Sequence, residues 1–295
     1  MKIVVAGASG LVGTALVAAL QRDGHLVHRL VRRAAKTADE ITWDPARGEI
    51  DRRRIDGVDA VVNLAGENLG AGRWTEARRG RIFRSRIDAT RTLVAAMLGV
   101  ATRPTVFLSA SAVGFYGDRG DDVVTESSGP GRGFLPEVCQ AWEGAAQRAE
   151  EAGVRTVRLR FGVVLAAEGG ALAKMLPLFR LGLGGPLGSG RQWMSWISLE
   201  DAVGAIRHAL RDERVRGPVN VVAPGPVKNA DFTRELARAV RRPAFLPAPA
   251  WALRFVLGKG MADEALLGST RAEPRVLERT GYAFRHPTLA AALQG

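Results

Sequence analysis

The chain opens on a short apolar run, Ile3-Val4-Val5-Ala6, that breaks into Gly7, Gly10 and Gly13 and resumes over residues 14–20 with helical spacing. An apolar run of that length bounded by glycine predicts a buried parallel strand, and the period that follows predicts a helix packed on it. The alternation continues: strands are predicted at 26–31, 40–43, 58–65, 105–111, 154–160 and 219–222, with helices at 74–98, 135–152 and 199–210. In the long second helix the apolar stripe is Phe83, Ile87, Thr90, Val94 and Met97, which leaves Arg78, Arg79, Arg81 and Arg86 to face water. Strands alternating with helices in this way predict an α/β fold of the Rossmann type, a doubly wound parallel sheet.

From residue 165 the pattern changes, with a helix at 171–181, a glycine-rich loop at 182–190 that reads as a ligand lid, and a helix at 229–240. Pro243, Pro247 and Pro249 then lead into a helical region at 251–294. The predicted organisation is a dinucleotide-binding domain over 1–164, to which 191–222 return, and a smaller C-terminal substrate lobe of 165–190 and 223–295. The last region reads as a cap on the substrate side or, alternatively, as a homodimer surface.

Composition narrows the function classes. No apolar stretch is long enough to span a bilayer, so no membrane partner is predicted. The run after Lys2 ends in glycines rather than a small-residue cleavage site, so no secretory leader is predicted, and the single cysteine, Cys139, excludes an internal disulfide and a cysteine metal cluster. The cytoplasm is the expected compartment, and no metal is expected. The net charge of +12 is almost all arginine, since lysine occurs only at positions 2, 36, 174, 228 and 259. Scattered arginines without a recognition helix or interleaved aromatics do not predict nucleic-acid binding; they suit a polar or phosphate-bearing small molecule.

Candidate chemistry begins at the glycines. Glycine permits a sharp turn, its missing side chain lets a pyrophosphate approach backbone N–H groups, and the helix dipole favours the negative charge. The spacing is Gly-x-x-Gly-x-x-Gly rather than Gly-x-Gly-x-x-Gly. About 20 positions beyond such a turn, an acidic residue accepts ribose hydroxyls and arginine matches a 2′-phosphate; here the offset lands on Arg32 and Arg33, which predicts NADP (NADPH) rather than NAD. Asn63-Leu-Ala-Gly66 ends the fourth strand in small residues that let a cofactor lie close. The fifth strand ends in Ser109 and Ser111, with Tyr116 just beyond, at the carboxyl edge where open parallel sheets bind ligands. Arg191, Gln192, Trp193 and Trp196 offer cationic, polar and aromatic contacts to an anionic or sugar-like substrate, with one tryptophan expected in the core.

These segments resemble the extended short-chain dehydrogenase/reductase superfamily, which contains nucleotide-sugar epimerases and dehydratases. Gly-Ala-Ser-Gly-Leu-Val-Gly13 is similar to its cofactor turn, Asn-Leu-Ala-Gly66 to its fourth-strand motif, Ser-Ala-Ser-Ala-Val-Gly-Phe-Tyr-Gly117 to its serine segment, and residues 188–201 to the stretch that returns to the cofactor domain. Glu137-Val-Cys-Gln-Ala-Trp-Glu143, residues 181–188 and the tail at 282–289 resemble more narrowly an atypical "epimerase family" branch with its own C-terminal extension. The resemblance implies a cofactor pocket of Gly7, Ser9, Gly10, Leu11, Val12 and Arg32, with Ala65 at the fourth strand, and a substrate hydroxyl held by Ser111.

The superfamily also uses a Tyr-x-x-x-Lys pair, in which the lysine lowers the phenol pKa so that it moves a proton during hydride transfer. No such pair exists here: the tyrosines are Tyr116 and Tyr282, followed four residues on by Gly120 and His286. Aligning the helix on Glu143 sets Pro136 at the tyrosine's place and Gln140 at the lysine's. Tyr116 is then the candidate acid/base, against a purely structural role; Glu126 and Glu143 are expected in solvent, and the four histidines on surface elements. The resulting expectation is an NADP-dependent oxidoreductase or epimerase acting on a small polar or sugar-nucleotide-like substrate. The alternative is a non-catalytic NADP-binding redox sensor or assembly module.

Overall fold

The computed structural model describes residues 1–294. Its first strand, β1 (Lys2–Ala6), is buried on both faces. Successive residues point to opposite sides of a strand, so Ile3 and Val5 enter one core with Leu16, Leu20 and Ile206, while Val4 and Ala6 enter another with Leu93, Met97 and Ala149. The chain continues through α1 (Leu11–Arg22), β2 (Leu26–Val31), β3 (Glu40–Asp44), β4 (Glu49–Ile50), β5 (Ala60–Asn63), α2 (Glu76–Leu98) and β6 (Val106–Ala112). Next come β7 (Val123–Val124), α3 (Phe134–Glu151), β8 (Arg155–Phe161), β9 (Val163–Ala166), α4 (Gly170–Arg180), β10 (Trp193–Met194), β11 (Trp196–Ser198), α5 (Leu199–Arg211) and β12 (Gly217–Val221).

The main sheet has eight strands in the order β12-β8-β6-β5-β1-β2-β3-β4, all parallel except the terminal β3–β4 hairpin. Residues of α1 and α5 cover one face and residues of α2 and α3 the other. Because the chain runs outward from β1 to β3 and then returns to β1's other side with β5, the strand order reverses at β1. That reversal opens a crevice at the carboxyl edge, where such sheets take ligands.

The second lobe holds β13 (Val227–Lys228), α6 (Asn229–Val240) and α7 (Ala250–Leu257), then a short turn α8 (Lys259–Met261), β14 (Arg271–Ala272), α9 (Arg275–Arg279) and α10 (Leu289–Gln294). Its own core gathers Leu172, Phe179, Trp196, Phe232 and Leu289. Asp201, fully buried at the start of α5, ties the tail to the sheet domain. Its carboxylate accepts from Ser198 Oγ (2.9 Å), Tyr282 OH (3.0 Å) and the N–H groups of Arg285 (2.7 Å) and His286 (2.8 Å).

Three sequence expectations change. The first helix begins at Leu11 rather than Thr14, because Gly13 does not interrupt it: a Cβ there would stand 2.1 Å from Gly7 O, so this glycine serves close packing of helix on turn. Arg86 does not face water but is 8% exposed, and Ile82 rather than Phe83 is fully buried beside it. The loop at 182–190 is not a free lid. Leu246 N–H donates to Gly184 O, Ala248 N–H to Pro186 O and Gly188 N–H to Ala248 O, and a Cβ on Gly185 would lie 1.8 Å from Leu246 O. Its glycines allow two backbones to meet, which sequence does not distinguish from flexibility.

Candidate functional site

Gly7 has φ +75°, a conformation L side chains resist, and a Cβ there would lie 2.6 Å from the Leu64 carbonyl. Gly10 N–H donates to Gly7 O at 3.0 Å, closing the turn. Gly10 then caps α1 with no side chain, and no acidic residue stands in the helix's first turn. The N–H groups of Leu11, Val12 and Gly13 therefore have no side-chain cap and no acidic residue neutralises the positive end of the dipole. Ser9 and Gly10 are exposed on this turn, and Leu11 is met from the second lobe by Gly169 and Gly170.

Beside it, Ala6 is in register with Leu30, so the ends of β1 and β2 share one edge. A cleft of about 580 Å³ opens at the ends of β2 and β3, lined by Arg32, Arg33, Thr42, Asp44, Ile50 and Arg52. The two arginines expected there separate. Arg33 forks onto Glu40 at 2.8 and 2.6 Å, and this fork together with the Lys36 N–H holds the Glu40 carboxyl down to about 2. Arg32 is exposed and makes no side-chain hydrogen bond or ion pair among the described residues. Arg32, like Arg52 of the same lining, is thus a cation without a partner among the described residues, and Arg33 shapes the strand end.

Asn63 is fully buried. Its Nδ2 donates to Thr90 Oγ1 (2.9 Å) and its Oδ1 accepts from Ala65 N–H (3.1 Å), so it fixes the loop that presents Ala65 and Gly66. Gly66 lies directly over the Arg86 side chain.

At the end of β6, Ser111 Oγ donates to Glu143 Oε1 at 2.7 Å. Glu143 is not in solvent: it is 7% exposed and receives both Arg160 Nε and Nη2 at 2.8 Å. Arg160 lies over the Phe115 ring at 3.6 Å, and its Nη1 donates to Tyr116 OH at 2.9 Å. Tyr116 OH in turn donates to Asn220 Oδ1 at 2.7 Å. Tyr116 is fully buried, and burial pushes its hydroxyl pKa up. With both hydrogen-bonding roles taken inside the protein, Tyr116 is a structural strut and is removed as the acid/base group. Glu126 is half-buried and accepts from the N–H groups of Asn220 and Val276, both at 3.1 Å.

The helix face toward Ser111 also differs from the alignment through Pro136 and Gln140. Gln140 is exposed and folds back onto Pro136 O, whereas a Cβ on Gly114 would lie 3.3 Å from Leu135 Cβ and 3.9 Å from Cys139 Sγ. Leu135, Cys139 and Glu143, spaced by four, share one face of α3 toward Gly114 and Ser111, and Pro136 packs beside them on Gly117. None is a phenol or an amine. Cys139 is buried, and that burial, with the Glu143 charge, pushes its thiol up to about 12. In the substrate lobe, Trp196 is core, its Nε1 donating to Gly225 O, and Gln192 is buried with Nε2 donating to Leu187 O and Leu266 O. Trp193 remains half-exposed at the surface, with Arg271 4.4 Å over its ring.

Fold and site together define a Rossmann-type α/β protein of the extended short-chain kind, with an appended C-terminal unit. The NAD dependent epimerase/dehydratase family model matches residues 3–222, and a domain of unknown function, DUF1731, matches residues 248–295. The chain belongs to the NAD dependent epimerase/dehydratase family. An epimerase family protein of Mycobacterium leprae is 47% identical over 291 residues, covering 99% of this chain and 94% of that one. The crystal structure of the human epimerase family protein SDR39U1 with NADPH is 36% identical and superposes with a TM-score of 0.92, covering 100% of this chain and 98% of that one. The structure of MoeE5 in complex with UDP-glucose and NAD, at 21% identity and a TM-score of 0.78 over 99% and 96% of the two chains, shares the fold.

Proposed function

We propose that the protein is an NADP-dependent oxidoreductase or epimerase acting on a small polar or sugar-nucleotide-like substrate. The observation that carries this reading is the pairing, on one sheet edge, of an uncapped helix N-terminus at the glycine turn with a free Arg32 at the end of β2. The turn suits a pyrophosphate because α1 begins after Gly10 with no side-chain cap and no acidic residue in its first turn, and a guanidinium fits a 2′-phosphate through two parallel hydrogen bonds. The human relative crystallised with NADPH has the same fold over its whole length, which supports the same cofactor here.

In this reading Ser9 to Gly13 hold the pyrophosphate, Arg32 the 2′-phosphate, and Ala65 and Gly66 pass the cofactor toward Ser111. The nicotinamide supplies a hydride donor or acceptor. Ser111 spends its own proton on Glu143, so toward a substrate it offers lone pairs and selects a hydroxyl that donates. The buried Arg160–Glu143 fork fixes that orientation. Without a Tyr-x-x-x-Lys pair and with Tyr116 enclosed, solvent serves as the proton source. That same enclosure favours, as a second reading, a redox sensor that binds the cofactor without turnover.

The test is NADPH oxidation and NADP⁺ reduction against a panel of sugar nucleotides and small carbonyl and hydroxyl compounds, with chromatographic analysis for epimerised product, because an epimerase consumes no net cofactor, and with cofactor affinity measured in parallel. Turnover supports the enzyme; tight NADPH binding without turnover on any member supports the sensor.

A further inference from the structure

Arg86 is a buried cation without an anion. It projects from α2 beneath Gly66, where a Cβ would lie 3.2 Å from its Cζ, and it is 8% exposed. Its Nη1 donates to Ile82 O at 3.0 Å and its Nη2 to Glu67 O at 3.1 Å, both main-chain carbonyls. A guanidinium has five N–H donors, so three remain. No carboxylate forms an ion pair with it among the described residues, and the Glu67 side chain turns instead to Arg78 and Arg81 at 3.8 and 3.5 Å. Burial pulls the Arg86 pKa down, more than the nearby Glu67 charge raises it.

A second orphan stands beside it. The guanidinium lies 5.1 Å over the Trp142 ring, and Trp142, 6% exposed, has an indole N–H that is buried and meets no acceptor. Buried donors are normally paired, and an isolated buried charge is costly unless something neutralises it. Two neighbouring buried side chains thus keep donors without an acceptor, and an acceptor bearing negative charge would serve both. They stand at the carboxyl edge of the sheet: Arg86 under the loop after β5, and Trp142 on the helix whose inward face carries Cys139 and Glu143 beside Ser111.

We propose that Arg86, with Trp142, forms the subsite for a carboxylate of the substrate, so that the physiological substrate is an acid rather than a neutral sugar or carbonyl compound. A carboxylate matches the planar fork through two parallel N–H···O bonds and brings the charge that the pocket lacks. Glycine at position 66 leaves only main chain between the guanidinium and the edge, so the subsite and the cofactor path adjoin. The proposal rests on the cofactor reading above only for the position of the substrate beside Ser111.

The experiment is calorimetric titration of oxalate into the protein with and without saturating NADP⁺, with acetamide as the uncharged control. Oxalate is expected to bind the wild type and acetamide not to bind. Arg86→Gln is expected to weaken oxalate at least tenfold while leaving NADP⁺ affinity within threefold. Arg86→Lys, which keeps the charge and loses the fork, falls between, and Trp142→Phe, which keeps the packing and loses one donor, weakens oxalate about threefold. The two conservative variants carry the test if Arg86→Gln does not fold. Absence of oxalate binding to the wild type, or equal oxalate affinity in the wild type and the Arg86 and Trp142 variants, overturns the proposal. Failure of the wild type to bind NADP⁺ overturns the cofactor reading instead, and oxalate binding to the cofactor-free protein still decides this one.

Discussion

Replacing Arg160 by methionine isolates the buried ion pair that orients Ser111. The Arg160 side chain is 4% exposed and that of Glu143 8%, and the substitution removes two bonds of 2.8 Å to Glu143 and one of 2.9 Å to Tyr116. Glu143 is then left as a buried carboxylate held by Ser111 alone. Breaking such a pair from one side costs about 3–5 kcal/mol, because an uncompensated charge stays buried. At roughly 2.1 cal/mol/K per residue, unfolding a chain of this size changes entropy by about 0.6 kcal/mol/K, so melting should fall by roughly 5–8 °C. The double variant Arg160→Met with Glu143→Leu removes both charges and should recover most of that loss, to within about 1–2 kcal/mol of the wild type. Differential scanning calorimetry of the three proteins measures it. A single variant that melts within about 1 °C of wild type, or a double variant as unstable as the single, would refute the account of this network.

Three further outcomes are expected. Glu40 is held at about 2 by Arg33 and the Lys36 N–H, below its unfolded value, so its contribution is full above about pH 4.5 and is lost as pH falls toward 2. Glu40→Gln should therefore lower melting at pH 7, and the gap to wild type should narrow steadily below about pH 4.5 and close only at about pH 2 and below; a constant gap would contradict this. A Cβ at position 13 would lie 2.1 Å from Gly7 O, whereas one at position 10 would lie 3.3 Å from it. Isothermal titration should find NADPH binding abolished in Gly13→Ala and only weakened in Gly10→Ala. Asp201→Ala removes the acceptor for three donors of the tail, Tyr282, Arg285 and His286, so limited proteolysis should cut near residues 282–288 well before the sheet domain, with a stability loss of about 3 kcal/mol or more.

The sheet domain was legible because its signals are local. Apolar runs that end in glycine mark strands and turns whatever lies around them, and β2 appears at the expected residues 26–31. The glycine turn was legible for the same reason, although the packing purpose of Gly13 was not. What the chain hides is partnership across distance. Glu143, Arg160 and Asn220 read as polar residues on separate elements, and only the fold brings them onto Ser111 and Tyr116. Arg86 joins a run of exposed arginines by composition, yet Gly66 and Trp142 make a place for it. Its position one residue before Ile87 on the apolar stripe was the available hint. Proline and leucine begin α3 side by side, and local sequence does not show that Leu135 meets Gly114 while Pro136 meets Gly117.

The central claim, that a dinucleotide lies on the glycine turn with its 2′-phosphate on Arg32, is tested most directly by titrating NADPH and NADH into the wild type and Arg32→Ala. A charge-assisted hydrogen bond is worth about 1.5–3 kcal/mol, so the account predicts that the variant binds NADPH about 10- to 100-fold more weakly and binds NADH as the wild type does. Equal loss of both cofactors, or no loss of either, would contradict it.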